Sequence, residues 1–317
     1  MTDALFFTVA WLRQLPQVME LADSLAAVYP AHCLHVGLVD PPEAVPRNLP
    51  VNLKIHPVSV LDLPDFEDLI QKYTRTEFRN LTKPFFARYF LNTFPETQQI
   101  IGLSPESRLL APLDALHQAL TTQAIVLVSQ LTAPPRAGSL LIEGHFLNVG
   151  TYDAGLWGVR RSDVALHFLD WWAGSLRQRG WLRLCAGFGS DQLWLDLVPA
   201  FFDDVAIFNQ SNYVVKLPWD SASPVADTTV LLQFEGVGTD RARLPKAAKR
   251  LLTAYRDGIA SRPDYQFLRN RIPAFGLPDP LLPASPWRRT LARPIRRMIR
   301  LINRFQPDFL YKTPNLS

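Results

Sequence analysis

Short apolar segments alternate with helical patterns along roughly the first 130 residues, and this alternation limits the fold more than any other feature of the sequence. The apolar runs at 5–10, 34–38 and 125–129 have the length of buried strands. Helix signals lie between them, such as Pro16 followed by apolar residues at helical spacing. Because strands that alternate with helices form βαβ units, the sequence predicts an α/β protein with a mixed, mostly parallel sheet flanked by helices.

The same patterns continue into the second half of the chain. Further strands are predicted at 53–55, 99–103, 155–160, 205–209 and 229–234. Helices are predicted at Asp65–Tyr73, Glu77–Asn92, Asp163–Leu176, Ser190–Leu197 and Pro245–Gly258. The sequence is then rich in Pro and irregular, which is typical of a linker. We therefore predict a main domain over 1–260, a linker over 261–286 and a tail over 287–317.

Composition places the chain among globular proteins of a reducing compartment. Hydrophobic residues make up 48% of the 317 residues, enough for a large core. Cys33 and Cys185 are the two cysteines, and their spacing suggests neither a disulfide framework nor a metal site. The apolar N-terminal run follows Asp3 without a basic segment, so it is interpreted as a buried strand and not as a signal peptide. We expect a cytoplasmic protein.

A set of short motifs occurs in a fixed order along the chain and carries a family resemblance. The motifs are Tyr73–Phe78 with Lys83-Pro84, the turn at 104–106, the strand from Gly155, Trp171-Trp172, Asp191–Pro199, Asn212-Tyr213 and Gln233–Gly236. Together they resemble the bacterial GT-A nucleotide-sugar glycosyltransferases of the retaining, family-eight-like group, which act on cell-surface polysaccharides. The resemblance covers roughly residues 4–258 and implies a GT-A fold for the main domain.

Two positions where these enzymes hold a metal ion are altered. The resemblance implies an Asp-X-Asp motif after the strand at 99–103, and this chain has Ser104-Pro105-Glu106 there, with Arg108 close behind. It also implies a metal-binding His where Gln233 stands. Hard oxygen ligands suit Mg²⁺ or Mn²⁺, and an amide is a poorer ligand than His. We therefore predict that the metal site is lost and that the protein uses no cofactor, with a nucleotide-diphosphate sugar as substrate.

Positive side chains offer another way to stabilise a departing diphosphate. Arg79 and Lys83 are four residues apart and share one helical face. The alternative is that they are ordinary surface cations. The predicted donor-binding residues are Arg79, Lys83, Ser104, Glu106, Asp153, Lys216, Gly236 and Lys246.

The Asp191-Gln192 pair is the predicted catalytic centre. It resembles the acidic and amide pair that holds the donor sugar in the related enzymes, where a carboxylate accepts hydrogen bonds from hydroxyls and an amide both donates and accepts. The pair is also compatible with a helix N-cap formed by Ser190 or Asp191. Asp153 stands where the related enzymes commonly have an Asn that contacts the donor.

The C-terminal tail has a charge pattern of its own. Apolar residues at helical spacing form one face, and seven arginines without any acidic residue occupy the rest of 286–305. Subtracting these seven charges from the net +4 leaves −3 on the remaining chain. The pattern predicts an amphipathic helix on an anionic membrane surface, with contact to a partner protein as the alternative; no nucleic-acid motif accompanies it. The predicted membrane-binding residues are Trp287, Arg288, Arg289, Arg293, Arg296, Arg297, Arg300 and Arg304.

Two functional hypotheses follow. The first is a glycosyltransferase of the hexosyltransferase type, peripheral at the inner face of the membrane, that transfers a sugar to a cell-envelope glycan or lipid-linked acceptor without a metal ion. The second is a catalytically inactive relative that binds glycans or acts as a scaffold beside an active transferase. The altered metal positions favour the second hypothesis, whereas Asp191-Gln192 and the basic segment 75–83 favour the first.

Overall fold

A computed structural model describes most of the chain. The described residues are 4–131, 134, 143–183, 187–210, 213–217, 225–226, 228–234, 246–262, 264–279, 294 and 298. Gly236, Trp287 and the seven tail arginines lie outside them.

Strands and helices alternate through the described residues. The strands are β1 (Ala4–Ala10), β2 (Leu34–Leu38), β3 (Leu53–Pro57), β4 (Gln99–Leu103), β5 (Ser107–Leu109), β6 (Ile125–Ser129), β7 (Tyr152–Arg160), β8 (Leu182–Arg183), β9 (Phe188–Gly189), β10 (Val205–Phe208), β11 (Val214–Lys216) and β12 (Leu231–Gln233). The helices are α1 (Leu15–Val28), α2 (Phe66–Lys72), α3 (Arg75–Thr93), α4 (Asp114–Thr122), α5 (Glu143–Val149), α6 (Asp163–Arg179), α7 (Val198–Phe201), α8 (Lys246–Ala260) and α9 (Tyr265–Arg269).

The central sheet has seven strands in the order β10-β6-β7-β4-β1-β2-β3. Every neighbouring pair is parallel except those of β7, which runs antiparallel to both β4 and β6. A smaller sheet has the order β11-β12-β5, and β8 pairs with β9. The predicted α/β fold with a mixed, mostly parallel sheet flanked by helices is therefore confirmed.

Both faces of the inner strands β1, β2, β4 and β6 are buried, which explains why these strands are almost entirely apolar. Side chains alternate along β1, so that Phe7 joins the core on one face and Phe6 the core on the other. The first core contains Phe90 of α3 and Trp172 of α6, and the second contains residues of α1 and α4. Gly102 makes room for Trp157, because a Cβ at that glycine would lie 2.7 Å from the indole.

The predicted α-helix over Ser190–Leu197 is wrong. Residues Leu193–Leu197 form a 3₁₀ helix, and a short α-helix follows from Val198. Ser190 has a φ of 58°, a left-handed conformation that cannot belong to a right-handed helix. Pro199 lies in the first turn of α7, where the lack of an N–H is tolerated.

The segment from 261 to 277 packs on the main body. Leu268 of α9 is fully buried, and the Leu277 N–H donates to the Tyr73 carbonyl over 2.8 Å. The chain divides into compact units at 1–277 and 278–317. The division falls inside the predicted linker, and the predicted domain boundaries themselves stay predictions. Within the described residues, no helix is both long enough and apolar enough to cross a membrane.

Candidate functional site

The polarity of β7 brings two distant parts of the sequence together. Because β7 runs antiparallel to β4, its amino end lies beside the carboxyl end of β4, with Leu156 opposite Leu103. The Ser104 N–H then donates to the Gly155 carbonyl over 2.7 Å. Ser104 and Asp153, predicted separately as donor-binding residues, are thus placed at one edge of the sheet.

Lys83 and Asp191 form a largely buried ion pair at this edge. The Lys83 Nζ lies 2.5 Å from Asp191 Oδ2 and also donates to the Ala154 carbonyl over 3.2 Å. The Lys83 side chain is 17% exposed and that of Asp191 is 5% exposed, so water screens this pair only weakly. The structure therefore joins a predicted donor-binding residue of α3 to a predicted catalytic residue.

Two helices hold the backbone that carries Asp191. The Trp172 Nε1 of α6 donates to the Asp191 carbonyl over 3.2 Å. The Asn80 Nδ2 of α3 donates to the Ser190 Oγ over 3.1 Å. The Ser190 side chain therefore accepts a hydrogen bond from α3, and the Asp191 carboxylate contacts Lys83 instead of capping a helix.

Both the nitrogen and the oxygen of the Gln192 side-chain amide form hydrogen bonds with the backbone. Its Nε2 donates to the Val149 carbonyl over 3.0 Å, and its Oε1 accepts from the Ala154 N–H at 3.5 Å. Gly150, with a φ of 106°, lies close by, and a Cβ there would come within 3.1 Å of the Gln192 carbonyl oxygen. These bonds fix the Gln192 amide beside the amino end of β7, and its role toward a sugar stays a prediction.

Asp153 is the centre of a second cluster. Its Oδ1 accepts from the Lys216 Nζ at 2.9 Å and from the Gly155 N–H at 2.8 Å. Its Oδ2 accepts from the Gln233 Nε2 at 2.8 Å. Lys216 also donates to the Gln130 Oε1 over 2.7 Å. Asp153 is 1% exposed, Gln233 is fully buried and Lys216 is 9% exposed, so this is an interior polar network.

This second cluster contains two of the positions at which the resemblance implied a metal ion. A Cβ on Gly155 would lie 2.9 Å from the Gln233 Nε2, 3.0 Å from the Asp153 Oδ1 and 3.2 Å from the Ser104 Cβ. Ser104, Asp153 and Gln233 therefore converge on one glycine. Both oxygens of the only carboxylate among them accept from N–H donors, one of which is an ammonium. A divalent cation needs anionic oxygens that face it freely, so these residues do not fit one.

Within the described residues, no group of three or more His, Cys, Asp or Glu is arranged to hold a metal ion elsewhere. The predicted independence from a metal ion remains a prediction that solution measurements must test.

Arg79 and Glu106 belong to a third set of contacts near the carboxyl end of β1. The Arg79 Nη1 donates to the Gln14 Oε1 over 3.2 Å, and the Gln14 Nε2 donates to the Glu106 Oε1 over 3.4 Å. The guanidinium of Arg79 lies 4.6 Å from the centre of the Trp11 ring, and that of Arg13 lies 4.7 Å from it. The sequence interpretation missed Trp11, Gln14 and Arg13, although all three follow directly after β1.

Asp40, which follows β2, is another residue that the sequence interpretation missed. It is buried and accepts from the Leu12 N–H at 2.8 Å and from the Ala274 N–H at 2.7 Å. Burial raises the pKa of the Asp40 carboxyl, although these two backbone hydrogen bonds and the positive charges of Arg13 and Arg75 oppose the rise. Asp40 ties the segment after α9 to the carboxyl ends of the strands.

Lys246 lies elsewhere. It is exposed at the first position of α8, a helix that packs against α1. Among the described residues, no contact joins it to the rest of the predicted site.

Two cavities lie near these residues. The smaller is lined by Lys83, Pro105, Ala154 and Trp157 and has a volume of about 10 Å³, room for roughly one water. The larger has a volume of about 270 Å³ and lies between Gly187–Gly189 and Leu193–Leu197, with Phe188, Trp194 and Asp196 in its wall.

Comparison with known proteins shows the fold. No protein-family model and no curated protein matches the chain. The structure is similar to that of the galactosyltransferase LgtC in complex with donor and acceptor sugar analogs, with a TM-score of 0.53, 14% identity and coverage of 83% of this chain and 99% of that chain. An LgtC active-site mutant, in which glutamate replaces a glutamine, gives a TM-score of 0.52 with the same identity and coverage.

A weaker likeness involves a glycosyltransferase that takes part in glycosylation of the major capsid of PBCV-1. The TM-score is 0.47 at 10% identity, covering 79% of this chain and 99% of that chain. The likeness to LgtC confirms the predicted GT-A glycosyltransferase fold. At 14% identity it shows the fold alone, so activity must be argued from the residues of this chain.

Proposed function

We propose that this chain binds a nucleotide-diphosphate sugar and transfers the sugar to a cell-envelope glycan or a lipid-linked acceptor without a metal ion. The observation that carries the proposal is the contact between Lys83 and Asp191, 2.5 Å apart. It joins a cation and a carboxylate beside the carboxyl end of β4, and open α/β sheets bind their ligands at the carboxyl ends of the strands. The fold is shared with a galactosyltransferase that binds donor and acceptor sugar analogs.

The proposed reaction breaks the bond between the anomeric carbon and the diphosphate oxygen. The anomeric carbon forms a new bond to the acceptor hydroxyl oxygen, and the hydroxyl proton is released. The diphosphate leaves with a negative charge that preorganised cations stabilise. Lys83 and Arg79, one turn apart on α3, supply two such cations, and the Asp191 carboxylate accepts hydrogen bonds from sugar hydroxyls.

The larger cavity is our candidate for the acceptor. It borders the segment that follows Asp191, and it combines the aromatic side chains of Phe188 and Trp194 with the carboxylate of Asp196. Aromatic faces pack against the apolar faces of sugar rings, while carboxylates bind their hydroxyls. The predicted basic tail would keep such a site close to a lipid-linked acceptor at the inner face of the membrane.

A specific observation favours the alternative, an inactive relative that binds glycans or acts as a scaffold. The charged groups of the candidate site neutralise one another, Lys83 with Asp191 and Lys216 with Asp153. The cavity beside Lys83 has room for roughly one water. A donor could bind the charged groups only by replacing these internal ion pairs. Ion pairs that satisfy each other without a donor are what we expect in a relative that no longer binds one.

Thermal unfolding with UDP, GDP and their common sugars, each with EDTA and with Mn²⁺, tests the proposal. A ligand that binds only the native state adds about 2.7 kcal/mol at a hundred times its dissociation constant. We expect one nucleotide to raise the unfolding temperature equally in EDTA and in Mn²⁺. Replacing Lys83→Met with Asp191→Asn should abolish the rise.

The matched control removes another ion pair that involves α3. Arg88 of α3 and Asp170 of α6 lie 3.0 Å apart at the surface, and the variant Arg88→Met with Asp170→Asn should keep the nucleotide effect. If no nucleotide stabilises the wild-type protein, the scaffold alternative is the better account. Binding without release of free nucleotide from a sugar donor would also favour the inactive relative.

A further inference from the structure

The second cluster brings a fixed positive charge to the position where the resemblance implied a metal ion. We propose that the Lys216 ammonium is a built-in cation of the donor site, held by Asp153 and Gln130 in place of a divalent metal ion. This inference rests on the proposed function, because it assigns the group that stabilises the donor diphosphate beside Ser104. Neither the fold nor the comparisons assign a role to Lys216.

Strand register places Gln233 beside Lys216. Lys216 of β11 and Gln233 of β12 are directly paired in the parallel ladder, so their side chains leave the small sheet on the same face. The Leu217 N–H donates to the Gln233 carbonyl over 2.8 Å, which holds the pair of strands at this point. Both side chains then reach the same carboxylate, that of Asp153.

Three nitrogen donors already bind the carboxylate of Asp153. Lys216 and the Gly155 N–H share Oδ1, and Gln233 donates to Oδ2. A metal ion would have to displace the ammonium from a carboxylate that is 1% exposed. Two positive charges beside one buried carboxylate repel each other strongly at low dielectric, so ammonium and metal exclude each other here.

Gln233 contributes a second indication that a ligand belongs near this cluster. Its Nε2 faces Asp153, and its Oε1 is buried without a hydrogen-bond partner among the described residues. Turning the amide would bring its oxygen against the carboxylate, so the contact with Asp153 sets its orientation. A buried acceptor without a partner is costly unless a hydroxyl or a water satisfies it.

Binding of Mn²⁺ alone, followed by the EPR signal of the free ion, tests the inference without any nucleotide. We expect wild type to bind Mn²⁺ no better than a control variant, Lys249→Met, which removes an exposed lysine of α8. The variant Lys216→Met with Gln233→His frees Asp153 and supplies a nitrogen ligand, so it should gain one site at least about tenfold tighter than wild type. A folded double variant that gains no site would overturn the inference.

Nucleotide affinity supplies a second test that does not depend on creating a metal site. Lys216→Met alone would leave a buried carboxylate unpaired, so it is combined with Asp153→Asn, which keeps the shape without either charge. This variant should bind the nucleotide about tenfold or more weakly in EDTA, whereas Lys216→Arg should stay within about threefold of wild type because it keeps the charge. Unchanged affinity in the neutral variant would overturn the inference.

The two tests separate the inference from the proposed function. A wild-type protein that binds no nucleotide contradicts the proposed function, while the Mn²⁺ measurement still decides whether Lys216 occupies the cation position. A wild-type protein that binds nucleotide only with Mn²⁺ keeps the donor site and overturns the inference.

Discussion

Lys83 and Asp191 are 108 positions apart in the sequence, and their contact is the point at which α3 meets the segment after β9. Two further bonds support it, one from Lys83 to the Ala154 carbonyl and one from Trp172 to the Asp191 carbonyl. A buried charge that loses its partner keeps its desolvation cost without the compensating attraction. The pair therefore affects both the stability of the fold and the binding of any ligand beside it.

A double-mutant cycle measures this coupling. Lys83→Met and Asp191→Asn should each lower the free energy of unfolding, the first by about 3 kcal/mol because it leaves a buried carboxylate unpaired. The double variant should lose less than the sum of the two by roughly 2 kcal/mol. Urea denaturation of the four proteins gives these values.

The exposed pair Arg88 and Asp170 is the control for that cycle. It connects α3 to α6 at the surface, and exposed pairs contribute at most about 1 kcal/mol. A coupling between Lys83 and Asp191 no larger than that of the control pair would contradict the buried character of the contact.

The sequence indicated individual site residues better than it indicated their partners. Lys83, Asp153, Asp191 and Lys216 were all predicted, and each takes part in one of the two ion pairs. The pairing could not be predicted, because each pair joins residues far apart in the sequence, 108 positions for Lys83 and Asp191 and 63 positions for Lys216 and Asp153. Lys246 was predicted as a donor-binding residue from its charge. It lies at the exposed start of α8 and makes no contact with the described site residues.

At the level of elements, the edge strand β3 and its neighbour β2 contain a histidine pair, in which His35 is buried and His56 is half-buried. The His35 Nδ1 and the His56 Nε2 are 3.1 Å apart, and the rings stack with an interplanar angle of 11°. Two aromatic side chains pack edge-on against both rings, namely Phe90 of α3 and Phe94, which directly follows α3. Burial lowers the pKa of His35 to about 4, with smaller effects of His56 and Lys54, and burial also lowers the pKa of His56.

This pair predicts a loss of stability in mild acid. Because the folded-state pKa lies below the unfolded value of about 6.5, the unfolded chain binds more protons between these values. The contribution of His35 is complete above pH 6.5 and is lost as the pH falls toward 4. Between pH 7.5 and 4.5 the loss should be about 2 kcal/mol, measured by urea denaturation.

Two variants isolate the histidine contribution from that of the carboxylates. His35→Phe suits the aromatic surroundings and should reduce the loss between pH 7.5 and 4.5, whereas His167→Gln, which replaces an exposed residue of α6, should leave it unchanged. An equal loss in wild type and His35→Phe would show that other groups cause the pH dependence.

Elements with strong periodicity were predicted well. The strands at 99–103 and 125–129 have the predicted bounds, and α6 begins at the predicted Asp163. The short strand β5 and the helix α4 were missed. β5 has three residues and is defined by its antiparallel partner β12, which is more than 100 positions away in the sequence. No local sequence pattern therefore predicts this strand. The helix predicted over Ser190–Leu197 is wrong because Ser190 adopts a left-handed conformation, and the hydrogen bond from Asn80 of α3 to its side chain is a tertiary contact that no local pattern predicts.

At the scale of the molecule, the fold and the chemistry of its site follow different constraints. The GT-A fold persists at 14% identity because buried apolar alternation and strand order specify it. The polar residues at the carboxyl ends of the strands are free to differ, and here an ammonium and an amide surround the carboxylate of Asp153. The proposed function therefore depends on this chain's own ion pairs and not on its likeness to LgtC.

The seven arginines between 286 and 305 lie outside the described residues, so the prediction for the tail rests on sequence. Each arginine near an anionic leaflet contributes on the order of 1 kcal/mol, and the attraction falls as salt screens it. The full chain should sediment with vesicles that contain anionic lipid at low salt and be released at about 0.5 M salt, where the Debye length is a few ångströms. A chain that ends at residue 286, and a full chain with the seven arginines replaced by Gln, should both remain unbound. Equal binding to neutral and anionic vesicles would contradict an electrostatic attachment, and absence of binding to either would favour contact with a partner protein.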